Sequence, residues 1–304
     1  MTVREMQEEI LRLKRERGVF ILAHSYERHE ILEIADVVGD SYLLARAVAG
    51  ARENTVLMCG VRFMAETVKI LAPEKRVLLS HGGAGCPMAD ELTPDLLSAL
   101  QKKYPDAVTA AYINTTANVK AMSDVCVTSS SAVRVLSRLP EKEILFVPDR
   151  NLGSYCAKML PDKIFHFFEG GCPVHMCANG GDVARAKREH PLALLLVHPE
   201  CVGEVTGQAD YVGSTSGIMD FVRKSAHGEF VIGTENSIAE HLEYEFPDKK
   251  FYPLSKRLTC ADMRLTTLAG VRDCLTGGGE EITLDEPLRL AAKRSIDRMI
   301  ELGG

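Results

Sequence analysis

No apolar run in this 304-residue chain approaches the roughly 20 residues that a membrane-spanning helix needs. The amino-terminal stretch MTVREMQEEILRLKRERG is charged and reads as a helix, not as a signal peptide. Positive charge is not in excess: the net charge is −6 and the pI about 5.9, which argues against a nucleic-acid or anionic-membrane surface. There is no Cys-x-x-Cys pair, no low-complexity segment and no long linker. The Gly-x-Gly-x-x-Gly signature is missing from the first third, which removes support for dinucleotide binding. These absences leave a cytoplasmic protein as the expectation. The hydrophobic content of 46% is enough for real cores, and nine cysteines in such a chain point to metal or catalytic use, away from a disulfide framework.

What is present is a repeat. Cys172 stands 86 residues after Cys86 and 88 before Cys260. His24, Tyr112 and His198, each closing an apolar run, are spaced by 88 and 86. Asp36, Asp124 and Asp210 follow them by 12 residues, and Ser41, Ser129 and Thr215 by another five, within VVGDSY, VCVTSSS and YVGSTSG. Pro73-Glu-Lys, Pro161-Asp-Lys and Pro247-Asp-Lys keep the same register. The chain is a triplicated unit, with a period far too long for a solenoid.

Within each unit the patterning predicts helices alternating with short, nearly all-apolar strands, hence parallel sheets covered on both faces. Helices are expected at 3–17, 41–50, 62–72, 94–103 and 180–189, with the first ending at Gly18. Strands are expected at 19–23, 55–59 and 77–80, at 107–112, 144–147 and 164–168, and at 192–197, 230–233 and 250–254. The fold class is α/β: three pseudosymmetric three-layer αβα domains spanning 1–92, 93–179 and 180–260. A tail, 261–304, ends in a helix near 285–301 and is expected to pack back on the first unit. Ligands of such sheets bind beyond the carboxyl ends of the strands, where the His/Tyr/His, Ser/Ser/Thr and Cys markers all fall. With those edges turned inward, the markers converge on one cavity.

Three convergent thiolates suit zinc or an iron–sulfur cluster. Zinc would take His175 or Cys177 as a fourth ligand, but zinc sites usually use close cysteine pairs. Single cysteines on three separate loops fit a [4Fe–4S] cluster with one open iron, a Lewis acid. Cys59, Cys126, Cys156, Cys177, Cys201 and Cys274 read as small core residues. Ser41, Ser129 and the Ser214–Thr215 pair sit where helices are expected to begin, so hydroxyls and backbone N–H groups there suit a phosphate or carboxylate, although each position alone suits an ordinary cap.

Read together, HSY at 24–26, IADVVGDS at 34–41, AGC at 84–86, YINTTANVKAMSDVCVTSSSAV at 112–133, PDRNLG at 148–153, EGGCPVH at 169–175, HPEC at 198–201, ADYVGSTSG at 209–217 and CADM at 260–263 resemble the quinolinate synthase family. The resemblance runs from about residue 19 to residue 270. It implies condensation of iminoaspartate with dihydroxyacetone phosphate to quinolinate in de novo NAD synthesis, and three α/β domains around a [4Fe–4S] cluster held by Cys86, Cys172 and Cys260. It also implies a functional link to an aspartate oxidase or dehydrogenase as the source of iminoaspartate.

The resemblance makes Glu200 the general acid/base, with burial raising its pKa and nearby histidine opposing, assisted by Tyr26 and His198. His24, Tyr112, Ile113, Asn114 and Pro199 are expected to line the substrate site. Ser41, Ser129, Ser214 and Thr215 are expected to take its anionic groups, and His175 to support the cluster loop from behind. Departures are few. Ser25 replaces an aromatic or amide residue, Asn118 stands where Glu is expected, and a carboxy-terminal string of closely spaced cysteines is reduced to Cys274. Two rival readings are an iron–sulfur dehydratase of another substrate and a non-catalytic metal or redox sensor.

Overall fold

A computed structural model of the chain describes residues 1–303. The opening helix Val3–Arg17 begins with a capping box, in which Thr2 accepts from Glu5 N and Glu5 accepts from Thr2 N. It ends at Gly18, whose φ of 60° suits glycine and turns the chain directly into the strand Val19–His24. Ile10 and Leu13 bury one face of the helix against Ile21, Leu57 and Leu78.

Three sheets follow, each built around the strand that ends at a marker. In the first, Val19–His24 lies between Val37–Gly39 and Thr55–Cys59, with Arg76–Leu79 next, all parallel. In the second, the order is Val125–Val127, Val108–Tyr112, Glu143–Val147, Ile164–Phe167. In the third it is Tyr211–Val212, Leu194–Val197, Glu229–Gly233, Lys250–Pro253. Helices flank the sheets, and the predicted elements recur within about two residues of their expected ends. The stretch expected as one helix at 41–50 is an α-helix, Ser41–Ala47, followed by a 3₁₀ turn, Val48–Gly50.

Each sheet has, directly after its marker strand, a strand that the patterning did not show: Val37–Gly39, Val125–Val127 and Tyr211–Val212. At two or three residues they are too short for any periodicity, and they lie inside the repeated phrases. Their placement explains the repeated aspartates. Asp36, Asp124 and Asp210 each accept, through a side-chain oxygen, from the backbone N of Ile21, Thr109 and Leu195 at 2.7, 2.8 and 2.7 Å. Each also donates its own N–H back to the carbonyl of the same residue. The repeated lysines are structural as well. Lys75 donates to Ala51 O and Glu53 O, Lys163 to Leu139 O and Glu141 O, and Lys249 to Val222 O and Ser225 O, at 2.7–2.8 Å.

The cysteine loops are pinned alike in all three units. Two residues before each cysteine, the carbonyls of Ala84, Gly170 and Leu258 accept from the N–H groups of Arg62, Arg150 and Asn236 at 2.9, 2.9 and 2.7 Å. In two units a buried carboxylate at one repeat position holds the cysteine's own N–H: Asp149 for Cys172 at 3.2 Å and Glu235 for Cys260 at 3.3 Å. Val61 stands at that position in the first unit, and there Asp262 reaches across from the third cysteine loop to accept from Gly85 N.

The tail is shared, not confined to the first unit. The helix Leu268–Leu275 packs on Val3–Arg17, and Glu280–Glu281 adds an antiparallel edge beside Arg76–Leu79. The last helix, Glu286–Gly303, instead lays Ala292, Ile296 and Met299 into the core of the second unit, against Ala117–Met122. An apolar stripe needs an apolar partner, and the second sheet supplies it. Among the described residues no helix is long and apolar enough to cross a membrane.

Candidate active site and metal centre

The three sheets point their marker ends at one cavity of about 340 Å³. The first unit contributes His24, Tyr26, Ser41 and Cys86, the second Tyr112, Asn114, Ser129, Cys172 and His175, and the third His198, Glu200, Thr215 and Cys260. The wall follows the repeat one step beyond the markers. Two residues after His24, Tyr112 and His198 come Tyr26, Asn114 and Glu200, three different chemistries delivered by one backbone position.

Glu200 is buried and surrounded by donors. Tyr112 donates to its Oε1 at 2.6 Å, and His175 Nδ1 lies 2.8 Å from its Oε2. Burial alone would raise its pKa, as expected from the sequence. The neighbouring His175 and His198 and the two hydrogen bonds outweigh that, so the carboxyl is held well below the usual range. His24 and His198 move down, to about 4 and about 3, because burial disfavours the imidazolium more than Asp40 and Glu200 support it. In both, Nδ1 accepts from the backbone N two residues on, Tyr26 N at 3.1 Å and Glu200 N at 3.3 Å. The proton of each neutral ring therefore sits on Nε2.

Tyr26 crosses from the first unit to the third. Its phenol takes a hydrogen bond from Thr215 at 2.9 Å and lies 2.8 Å from the hydroxyl of Thr234. Burial, with Glu200 nearby, raises the phenol pKa well above its ordinary value. His175 Nε2 meets the same Thr234 hydroxyl at 2.9 Å, while Nδ1 also lies 3.3 Å from Cys172 Sγ. His175 is thus part of the cavity wall, touching both a thiol and Glu200, and not a residue behind it.

The model for the family described as quinolinate synthetase A protein matches residues 8–301 of this chain. Curated quinolinate synthases of Methanoregula boonei, Caldicellulosiruptor bescii and Geobacter metallireducens are 48%, 45% and 46% identical to it. The alignments cover 98%, 100% and 98% of this chain and 98%, 100% and 97% of those proteins. The chain belongs to the quinolinate synthase family.

The anion sites that resemblance to quinolinate synthase implied need local correction. Ser41 is the first residue of its helix, but Asp40 is the cap and its carboxylate already accepts from Tyr42 N and Leu43 N. Ser129 lies two residues ahead of Ser131, which precedes the helix Ala132–Ser137. Ser214 caps Thr215–Lys224 through Gly217 N and does not line the cavity, whereas Thr215 does. Ile113 and Pro199 are buried behind the wall, because residues between the marker and the second residue after it turn away from the cavity. Asp40, Glu235, Arg257 and Asp262 also line the cavity and were not singled out as site residues, although Asp40 and Asp262 lie within IADVVGDS and CADM. Glu235 had one signal, its repeat relation to Asp149.

The three thiols of this quinolinate synthase family member suit a group larger than one ion. Among the described residues the only trio of ligand atoms within 4.8 Å of one another is Cys172, His175 and Glu200, so Cys86, Cys172 and Cys260 are spread more widely. Sulfurs about 2.3 Å from one tetrahedral zinc would sit about 3.8 Å apart. Cys177 turns its thiol to Val174 O and does not line the cavity, which removes it as a fourth zinc ligand. Burial pushes Cys86 up to about 12 and raises Cys172 and Cys260 also, so a cationic partner is needed to hold all three as thiolates. The other cysteines behave as core atoms: Cys59, Cys126, Cys156, Cys201 and Cys274 are buried.

Proposed function

We propose that this chain is a quinolinate synthase, condensing iminoaspartate with dihydroxyacetone phosphate to quinolinate, with loss of phosphate and water, in de novo NAD synthesis. The observation that carries this reading is Glu200, an anionic carboxylate between Tyr112 and His175 in a cavity that also holds three unpaired thiols. Cys86, Cys172 and Cys260 are the residues that would hold a [4Fe–4S] cluster. When bound, that cluster supplies a Lewis acid at the iron left without a protein ligand.

The chain's own groups do the rest. Glu200, ionised, takes a proton from carbon or nitrogen during ring formation, and the Tyr112 hydroxyl keeps its carboxylate in place. Tyr26 assists as a phenol that stays protonated, its oxygen held at the cavity wall by Thr215 and Thr234. His24 and His198, neutral with Nε2–H outward, orient carboxylate oxygens without adding net charge. Asn114 Oδ1 is buried with no protein partner, which suits acceptance from the substrate nitrogen. Ser41 and Ser129 supply hydroxyls for phosphate and carboxylate oxygens, and Thr215 lines the cavity beside them with its own hydroxyl donating to Tyr26. An aspartate-oxidising enzyme in the same cytoplasm is the expected source of iminoaspartate.

The test is anaerobic purification followed by iron and sulfide analysis and a quinolinate assay from the two substrates. About four irons and four sulfides per chain are expected, lost in Cys172→Ser. Stoichiometric zinc without sulfide would overturn the [4Fe–4S] reading, and an intact cluster with no quinolinate formed would overturn the reaction.

A further inference from the structure

Thr234 follows the strand Glu229–Gly233, is fully buried, and has Pro148 and Gly60 as its counterparts in the other two units. Only the third unit therefore carries a hydroxyl there. That hydroxyl touches the first unit through Tyr26 Oη at 2.8 Å and the second through His175 Nε2 at 2.9 Å. It is not itself part of the cavity wall.

The polarity of the contacts follows from counting protons. Thr215 donates to the Tyr26 oxygen, so the phenol's single proton is left for Thr234. Thr234 then has its own proton for His175 Nε2, and in the neutral His175 ring the proton sits on Nδ1, 2.8 Å from the acceptor-only Glu200 carboxylate. The donors form one directed series, Thr215, Tyr26, Thr234 and His175, ending at Glu200.

We infer that Thr234 is a positioning residue of the reaction: its one hydroxyl fixes the Tyr26 phenol and the His175 ring at the meeting point of the three units, and through that ring the Glu200 carboxylate. This rests on the quinolinate synthase reading for its kinetic consequence but not for its geometry. A buried valine has nearly the shape of threonine and none of its hydrogen bonding, so Tyr26 and His175 would lose their common partner while the packing stays.

The experiment compares holoenzyme of wild type, Thr234→Val and Thr234→Ser, prepared anaerobically with matched iron content. Thr234→Val is expected to lower kcat about tenfold to hundredfold with KM within about twofold, the signature of misplaced reacting groups, and Thr234→Ser to return it to within about threefold of wild type. Anaerobic crystal structures of the same proteins are expected to show the His175 ring leaving Glu200 in Thr234→Val and keeping its place in Thr234→Ser. Unchanged kcat in the valine variant, or both rings holding their contacts there, overturns the inference. If the wild type makes no quinolinate, the functional reading fails and the crystal structures still decide the role of Thr234.

Discussion

Two sets of repeat positions behave in opposite ways. At the strand anchors, far from the cavity, the three units keep the same residue type in the same role. Asp36, Asp124 and Asp210 hold a strand's N–H, and Lys75, Lys163 and Lys249 each clamp two carbonyls. At the cavity wall the same backbone position presents Tyr26, Asn114 and Glu200, and outside the wall the position after the middle strand presents Gly60, Pro148 and Thr234. An anchor meets the same backbone in every unit, so one side chain serves all three. Under the proposed function a wall residue meets a different part of an asymmetric substrate in each unit, which accounts for the threefold repeat breaking there.

The sharpest break of that contrast is expected at the wall. Glu200→Gln removes the proposed base but keeps the shape, and is expected to lower kcat about 10²–10⁴-fold with the fold intact by circular dichroism and thermal melting. Asn114 and Tyr26 cannot replace it, since neither accepts a proton near neutral pH. Next is the exchange of a cysteine-loop anchor. Asp149→Asn turns a donor toward Cys172 N or Leu152 N, whose N–H groups both need an acceptor. Faster iron loss on exposure to air than in wild type is expected, followed by the decay of cluster absorbance.

At the anchors, Lys75→Met, Lys163→Met and Lys249→Met each leave two carbonyls without a donor. Each is expected to cost about 1–3 kcal/mol in denaturant unfolding, with kcat unchanged below the transition. Agreement among the three within about 1 kcal/mol would mark them as equivalent, and a large effect of one on kcat would break the comparison.

The smallest effect concerns a position where the repeat fails away from the wall. Glu27, Thr115 and Cys201 are equivalent and all buried, and Glu27 alone is ionisable as a carboxylate. Burial raises its pKa from 4.5 to about 8, against the hydrogen bond from Thr266 and the charge of Arg264. The folded state therefore binds this proton more tightly than the unfolded chain. Its contribution is fully present below pH 4.5 and is lost as pH rises through about 8. Glu27→Gln, which fixes the neutral form, is expected to flatten the fall of Tm across that window.

Most of the fold was readable before the structure because its strands are apolar runs bounded by helical segments and because three copies reinforce one register. The strands that escaped, such as Tyr211–Val212, are two or three residues long and exist only because an aspartate and a neighbouring strand hold them. The cavity residues at repeat positions were readable too. His175 was underplaced, since CPVH reads as loop support until its ring is seen between Cys172 and Glu200. Thr234 carried no signal: a threonine at a strand end is ordinary in any sequence.

By itself, then, the amino-acid order determined the triplication, the parallel α/β units, the three thiols and the family, because each of these is a local pattern repeated or matched along the chain. Tertiary structure alone decided which protonation state Glu200 takes, which serines face the cavity, where the last helix docks and which hydroxyl joins the three units. Those outcomes depend on groups distant in sequence meeting within about 3 Å, where burial, hydrogen bonding and charge act together.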